Sequence, residues 1–262
     1  MLLAIDVGNS NTVLGVFDGT RLVHSWRLQT VRERTSDELG LLLEGLFHHD
    51  GIDRAAVDGV IVASVVPPLT STVAAMVVRY FGSAPAIVDP MRDTGMPILY
   101  DNPAEVGADR IVNAIAAYEA FGRAANVPLI VCDFGTATTL DAVSANGEYL
   151  GGAICPGVTI SADALFQRAA RLPRIDVRKP ATAIGRTTVG AMESGLFYGY
   201  VGMVEGLVRR MTQELGGKAL CVATGGLAAV IAPETALIDH VDIDLTLQGL
   251  RIVWERQHGR RP

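Results

Sequence analysis

Two stretches of this chain repeat one device. Leu3-Ala4-Ile5-Asp6-Val7-Gly8-Asn9-Ser10-Asn11-Thr12 comes first, and Ile130-Val131-Cys132-Asp133-Phe134-Gly135-Thr136-Ala137-Thr138-Thr139 follows near the middle. Each is an apolar strand ending in Asp-x-Gly, then short hydroxyl or amide residues, then another apolar strand. The first strand delivers its Asp carboxylate to the mouth of the turn. Gly permits a backbone angle, or a close approach, that a side chain forbids. Asn, Ser and Thr then offer N–H groups and small polar side chains to an anion. One such turn fits an ordinary polar hairpin. Two in matched order, about half a chain apart, point to a duplicated α/β unit whose turns clamp nucleotide phosphates. An Asp beside phosphates would repel them, so its expected duty is to hold a cation or its water shell.

The patterning around these turns alternates strands with helices. Strands 2–7 and 13–17 flank the first turn, and Asp18-Gly19 is a hairpin signal leading into 22–28. Thr35 or Ser36 is expected to cap a helix through His48. Residues 57–64 read as a central strand buried on both faces, and Pro67-Pro68 opens a helix to about Phe81. Asn102-Pro103 reads as a helix entry, with Val106, Ile111, Ala114, Ile115 and Tyr118 at helical spacing to about Phe121. Gly122 to Pro128 reads as a loop. After the second turn come strands over 138–143 and 149–155, a helix from Pro156-Gly157 and a long helix after Thr188. Strand 219–223 is turned by Thr224-Gly225-Gly226 into a helix, and a last helix covers 245–256. The tail 259–262 is expected to fray. The pattern predicts two related α/β domains, 1–115 and 116–262.

Composition removes several function classes. The 262 residues are 49% hydrophobic with 28 Gly, enough for a substantial core. A net charge of −6 argues against a protein whose main task is gripping nucleic acid. Neither lysine, Lys179 or Lys218, lies in a Walker-type P-loop. Cys132, Cys155 and Cys221 are odd in number and lack a Cys-x-x-Cys pair, so they read as reduced packing residues of a cytosolic protein. Asp6 interrupts the N-terminal apolar stretch, which therefore does not read as a signal peptide, and no apolar run is expected to span a membrane. The five His form no metal-ligand cluster in the sequence.

The Asp-x-Gly pair with the late Thr224-Gly225-Gly226 turn resembles the acetate and sugar kinase, Hsc70 and actin superfamily. More narrowly, the chain is similar to the type III pantothenate kinases, over nearly its whole length and in order. The matching stretches are Asp6 through Thr12, Tyr100-Asp101-Asn102-Pro103 continuing to Gly107-Ala108-Asp109-Arg110, Asp133 through Thr139, Gly151-Gly152-Ala153-Ile154-Cys155-Pro156-Gly157, and Gly185-Arg186-Thr187-Thr188. The resemblance implies two actin-like (ribonuclease H-like) domains with an ATP cleft between them. It implies ATP-dependent phosphorylation of pantothenate, the first step toward coenzyme A, by a cytoplasmic homodimer that binds neither nucleic acid nor membrane.

Residue by residue, the resemblance makes Asp109 the base. It assigns the substrate to Tyr100, Gly107, Ala108, Asp109, Arg110 and Thr188, with Arg110 facing its carboxylate. ATP falls to Asp6, Val7, Gly8, Asn9, Ser10, Asn11, Thr12, Val13 and Thr136. Asp6 would place Mg²⁺, directly or through water, and Asp133 would hold a monovalent cation, K⁺ or NH₄⁺. Taken from the residues alone, Asp109 also fits an exposed first-turn helix acid, Thr188 also fits a helix N-cap, and Asp133 does not discriminate K⁺ from Mg²⁺. Thr187 departs from the family, where Asn is expected. The long helix over 189–211 is a candidate dimer surface. Two alternatives stay open: a regulatory accessory factor of the same family without kinase activity, and a kinase for another small hydroxy acid.

Overall fold

The computed structural model describes residues 1–92, 94–169 and 171–259. They form two compact units. In the first, β1 (Leu2–Val7), β2 (Asn11–Asp18) and β3 (Arg21–Gln29) make an antiparallel meander. Helix α1 (Ser36–His49) then leads to β4 (Gly59–Ser64), which pairs parallel with β1, and α2 (Pro67–Phe81) leads to β5 (Ala86–Ile87). The sheet order is β3-β2-β1-β4-β5. Alternate residues Leu3, Ile5 and Val7 of β1 join Leu43 and Phe47 of α1 and Val73 and Val77 of α2 in one buried cluster. Thr35 starts α1 with a capping box: its hydroxyl accepts the Glu38 N–H while the Glu38 carboxylate accepts the Thr35 N–H.

The chain continues through α3 (Ala108–Ala117), a π-helical turn at Tyr118–Gly122 and the short α4 (Arg123–Ala125), which ends where Asn126 turns left-handed. The second unit then repeats the plan. Strands β6 (Leu129–Phe134), β7 (Ala137–Val143) and β8 (Tyr149–Pro156) form the meander, and α5 (Val158–Arg168) and α6 (Thr188–Glu214) follow. Strand β9 (Leu220–Thr224) pairs parallel with β6; α7 (Ala228–Ile231) and β10 (His240–Val241) complete a sheet ordered β10-β9-β6-β7-β8. The central strand, its antiparallel neighbour and its parallel neighbour correspond one to one with those of the first sheet. Cys132 and Cys221 lie buried on neighbouring strands with their sulfurs 3.5 Å apart, and this contact together with burial pushes the Cys132 thiol well up. Cys155 is half-buried.

Helix α8 (Leu245–Gln257) returns to the first unit from Thr246 on, and residues 97–100 belong to the second. The other boundary between the units falls after Ala116. Close packing explains the return: a Cβ on Gly15 would strike Leu247, one on Gly59 would strike Trp254, and one on Gly249 would strike the Val112 carbonyl. Thr246 also donates to Asn113 Oδ1 at 2.7 Å, and Arg256 to the Thr94 carbonyl at 2.9 Å.

Three expectations about element ends are corrected. Asn102-Pro103 opens only a 3-10 turn, Pro103–Glu105, because Val106 after it turns extended; the α-helix starts afresh at Ala108. Gly107 therefore precedes the helix instead of interrupting it. The expected loop from Gly122 is still helical to Ala125. Thr187, not Thr188, caps α6, its hydroxyl accepting the Gly190 N–H at 3.0 Å. Thr and Asn are both good N-caps, so the substitution of Thr for the expected Asn keeps this role. The tail beyond Gly259 lies outside the described residues, among which no helix is long and apolar enough to cross a membrane.

Candidate active site

The first Asp-x-Gly turn sits between β1 and β2. Asp6 occupies β1 opposite Val13, with Ala63 of β4 on its other side, so three strands hold its backbone. Val7 and Thr12 are buried, Gly8 is half-buried, and Asn9, Ser10 and Asn11 form an exposed tip. Gly8 N–H closes the tip on the Asn11 carbonyl at 3.0 Å.

A residue the sequence reading did not single out braces this tip. Thr30, just past β3, donates its hydroxyl to the Gly8 carbonyl at 2.8 Å. Its Oγ1 lies 2.9 Å from the Thr12 hydroxyl, and its N–H reaches the Ser10 carbonyl at 3.0 Å. The β2–β3 register brings Thr30 there, with Asn11 paired to Gln29.

The second turn is built alike. Asp133 lies on β6 between Thr139 of β7 and Thr224 of β9, and Gly135 N–H reaches the Ala137 carbonyl at 3.1 Å. Thr136 is half-buried at the tip, and the start of α5 packs against it, since a Cβ on Gly157 would strike the Thr136 carbonyl. Gly225, with φ +90, passes so close to Asp133 that a Cβ there would strike Asp133 Oδ1; a Cβ on Gly135 would stand 3.3 Å from the same oxygen. The two glycines leave a cradle around this carboxylate oxygen that a side chain would fill.

At the start of α3, Gly107, Ala108, Asp109 and Arg110 come together. Asp109 Oδ1 accepts the Arg110 N–H at 2.8 Å, folding the carboxylate onto the helix start. A Cβ on Gly107 would stand 2.5 Å from that oxygen, so glycine leaves room for the carboxylate. Burial raises the Asp109 pKa, against the opposing pull of the Arg110 N–H and guanidinium. Arg110 itself is 9% exposed. A half-buried carboxylate with a raised pKa beside a buried guanidinium can take a proton from an alcohol and hold an anion close by.

The remaining expected residues stand on other elements. Tyr100 is half-buried in the 97–100 segment, its ring centroid 6.5 Å from that of Tyr149. Thr188 is exposed in the first turn of α6 and lines a shallow groove of about 500 Å³ with Leu165, Leu172, Met192 and Leu196.

Among the described residues, no group of three or more His, Cys, Asp or Glu converges on one metal position. One half-buried carboxylate, Asp6, beside an exposed tip of short polar residues fits Mg²⁺, which takes one or two carboxylates and fills its shell with water and phosphate oxygens. The Asp133 cradle, a carboxylate oxygen flanked by Gly135 and Gly225, fits a cation without choosing which.

Solved structures share this architecture. A Campylobacter jejuni chain described as a conserved member of the Baf family of transcriptional activators superposes with a TM-score of 0.61 at 18% identity, covering 98% of this chain and 99% of that one. An inorganic polyphosphate/ATP-glucomannokinase from Arthrobacter sp. strain KM gives 0.53 at 15% identity, covering 98% and 99%. At these identities the likeness shows a shared fold of two α/β units. A family model for type III pantothenate kinase matches residues 2–210. A type III pantothenate kinase of Myxococcus xanthus is 58% identical, covering 99% of this chain and all of the relative, and one of Moorella thermoacetica is 55% identical, covering 98% and 99%. The chain belongs to the type III pantothenate kinase family.

Proposed function

We infer that this enzyme transfers the γ-phosphoryl group of ATP to the primary hydroxyl of pantothenate, giving 4'-phosphopantothenate for coenzyme A synthesis. The observation that carries the reading is the start of α3, where a carboxylate with a raised pKa stands beside a buried arginine. Asp109 orients the substrate hydroxyl and accepts its proton as the phosphoryl group arrives. Arg110 binds the pantothenate carboxylate through two parallel hydrogen bonds. Gly107 and Ala108 let the substrate lie against the backbone, and Tyr100 and Thr188 bind its polar atoms.

The Asp6–Val13 turn holds ATP phosphates with its N–H groups and short side chains, and Thr136 does so from the second turn. Mg²⁺ held through Asp6 would neutralise charge developing on the phosphates. Asp133 takes a monovalent cation, K⁺ or NH₄⁺, which makes a carboxylate near triphosphate tolerable. A regulator without kinase activity has no use for a base tuned in this way, which favours the enzyme over that alternative.

The enzyme acts as a cytoplasmic homodimer, without nucleic acid or membrane as partner. Helix α6 supports the dimer: Gly195, Gly199 and Gly202 share one face, and a Cβ on any of them would meet nothing within 4 Å. Each costs about 1 kcal/mol against Ala in a helix, with no packing reason among the described residues, so a second helix approaching closely supplies one.

A substrate pair tests the pose. Wild type should phosphorylate pantothenate far faster than the analogue whose carboxylate is replaced by an alcohol. Arg110→Ala should raise the pantothenate KM roughly tenfold or more and erase that preference. Better turnover of a different hydroxy acid by wild type would overturn the assignment.

A further inference from the structure

We propose that Tyr149 and Asp141 are positioning residues for pantothenate, setting the place of the Tyr100 ring from beneath. The inference rests on the reading that Tyr100 binds this substrate.

Tyr149 is fully buried at the start of β8 and works through both its backbone and its side chain. Its N–H donates to the Pro97 carbonyl at 2.8 Å, and its carbonyl accepts the Leu99 N–H at 2.8 Å. These two bonds make a one-residue parallel bridge at Ile98 and strap the 97–100 segment to the sheet. No regular strand otherwise holds that segment, and Leu99 is 56% exposed, so the strap decides where Tyr100 stands. The Tyr149 ring then lies against the Tyr100 ring, tilted by 52°. Gly151, with φ +125, passes under Tyr100, where a Cβ would touch two ring carbons at 3.4 Å.

The Tyr149 ring is itself fixed from below. Its hydroxyl donates to Asp141 Oδ1 at 2.7 Å, and the Thr139 hydroxyl donates to Asp141 Oδ2 at 3.2 Å. Asp141 is 1% exposed. A buried carboxylate needs strong partners, and a phenol is a strong donor, so the pair locks Tyr149 in one rotamer. The order is therefore Asp141, Tyr149, Tyr100, substrate. A polar pair this deep serves packing less well than an apolar one would, whereas fixing a ring under a ligand contact gives it a use.

Steady-state kinetics with both substrates test the proposal, with Tyr149→Phe, Asp141→Ala, Asp141→Asn and Gly151→Ala beside wild type. Tyr149→Phe and Gly151→Ala should each raise the pantothenate KM roughly five- to tenfold with the ATP KM and kcat near wild type. Asp141→Ala should do the same, and Asp141→Asn, which keeps an acceptor for the phenol, should restore most of the affinity. Tyr118→Phe removes a comparable hydroxyl bond in the same unit, to the Ala145 carbonyl, and should change neither KM. Tyr100→Ala separates the two readings. If Tyr100→Ala raises the pantothenate KM but Tyr149→Phe and Gly151→Ala do not, the positioning proposal is overturned alone. If Tyr100→Ala leaves that KM unchanged, the proposal falls together with the role of Tyr100. Equal rises in both substrates' KM, or a fall in kcat alone, would mark a merely structural pair and overturn it too.

Discussion

Asp109 is pulled two ways: burial favours its neutral form, and Arg110 favours its charged form, with burial the larger influence. The folded protein therefore holds this proton more tightly than the unfolded chain does. That contribution to stability is present in full below the ordinary aspartate pKa and is lost as pH rises through the raised value. At neutral pH the ionised carboxylate is a cost. Asp109→Asn should then lower kcat by about 10²–10⁴ while leaving the neutral-pH Tm equal to wild type or higher. The Tm difference should close toward acid pH, and the acid limb of the wild-type rate profile should lie above the ordinary aspartate pKa. Thermal unfolding and kinetics across pH check both; a variant that loses several degrees of Tm at neutral pH would contradict this account of the site. Little of this tension was legible beforehand. The sequence placed Asp109 in a first helical turn, but an acid at that place is ordinary, and its burial comes from tertiary packing.

At the scale of elements, the two Asp-x-Gly turns were legible because each is a local pattern, a strand ended by Gly and small polar residues. What braces them was not. Thr30 reaches Gly8, Ser10 and Thr12 through the pairing of β2 with β3, whose register shifts between Val16 and Phe17. Counting straight back from the Asp18-Gly19 turn misplaces every residue beyond that bulge by one. Thr30→Val keeps the shape and removes the hydroxyl. It should raise the ATP KM by roughly three- to tenfold and leave the pantothenate KM unchanged, measured by varying each substrate in turn. An unchanged ATP KM would mean the tip holds its form without the brace. The same limit explains the helix ends. Asn102-Pro103 carries a valid start signal, yet Val106 ends what it starts, and only backbone geometry reveals that α3 begins at Ala108.

The whole molecule repeats one sheet plan, and the spacing of the two turns revealed that repetition in the sequence. The return of α8 to the first unit was not visible, because its reasons, Gly15, Gly59 and Gly249, read as scattered glycines until the helix lies on them. The α6 glycines belong to this scale as well. On the proposed dimer, Gly199→Leu should shift the protein from two-chain to one-chain mass in light scattering, with helix content retained; a wild type of one-chain mass would contradict that proposal. The most direct test of the central claim is ATP-dependent phosphorylation of pantothenate by purified protein, in K⁺ and in Na⁺ buffer, with Asp109→Asn alongside. The account predicts 4'-phosphopantothenate in K⁺, little in Na⁺, and loss of product with Asp109→Asn. Folded, ATP-binding wild type that yields no product under any cation would contradict it.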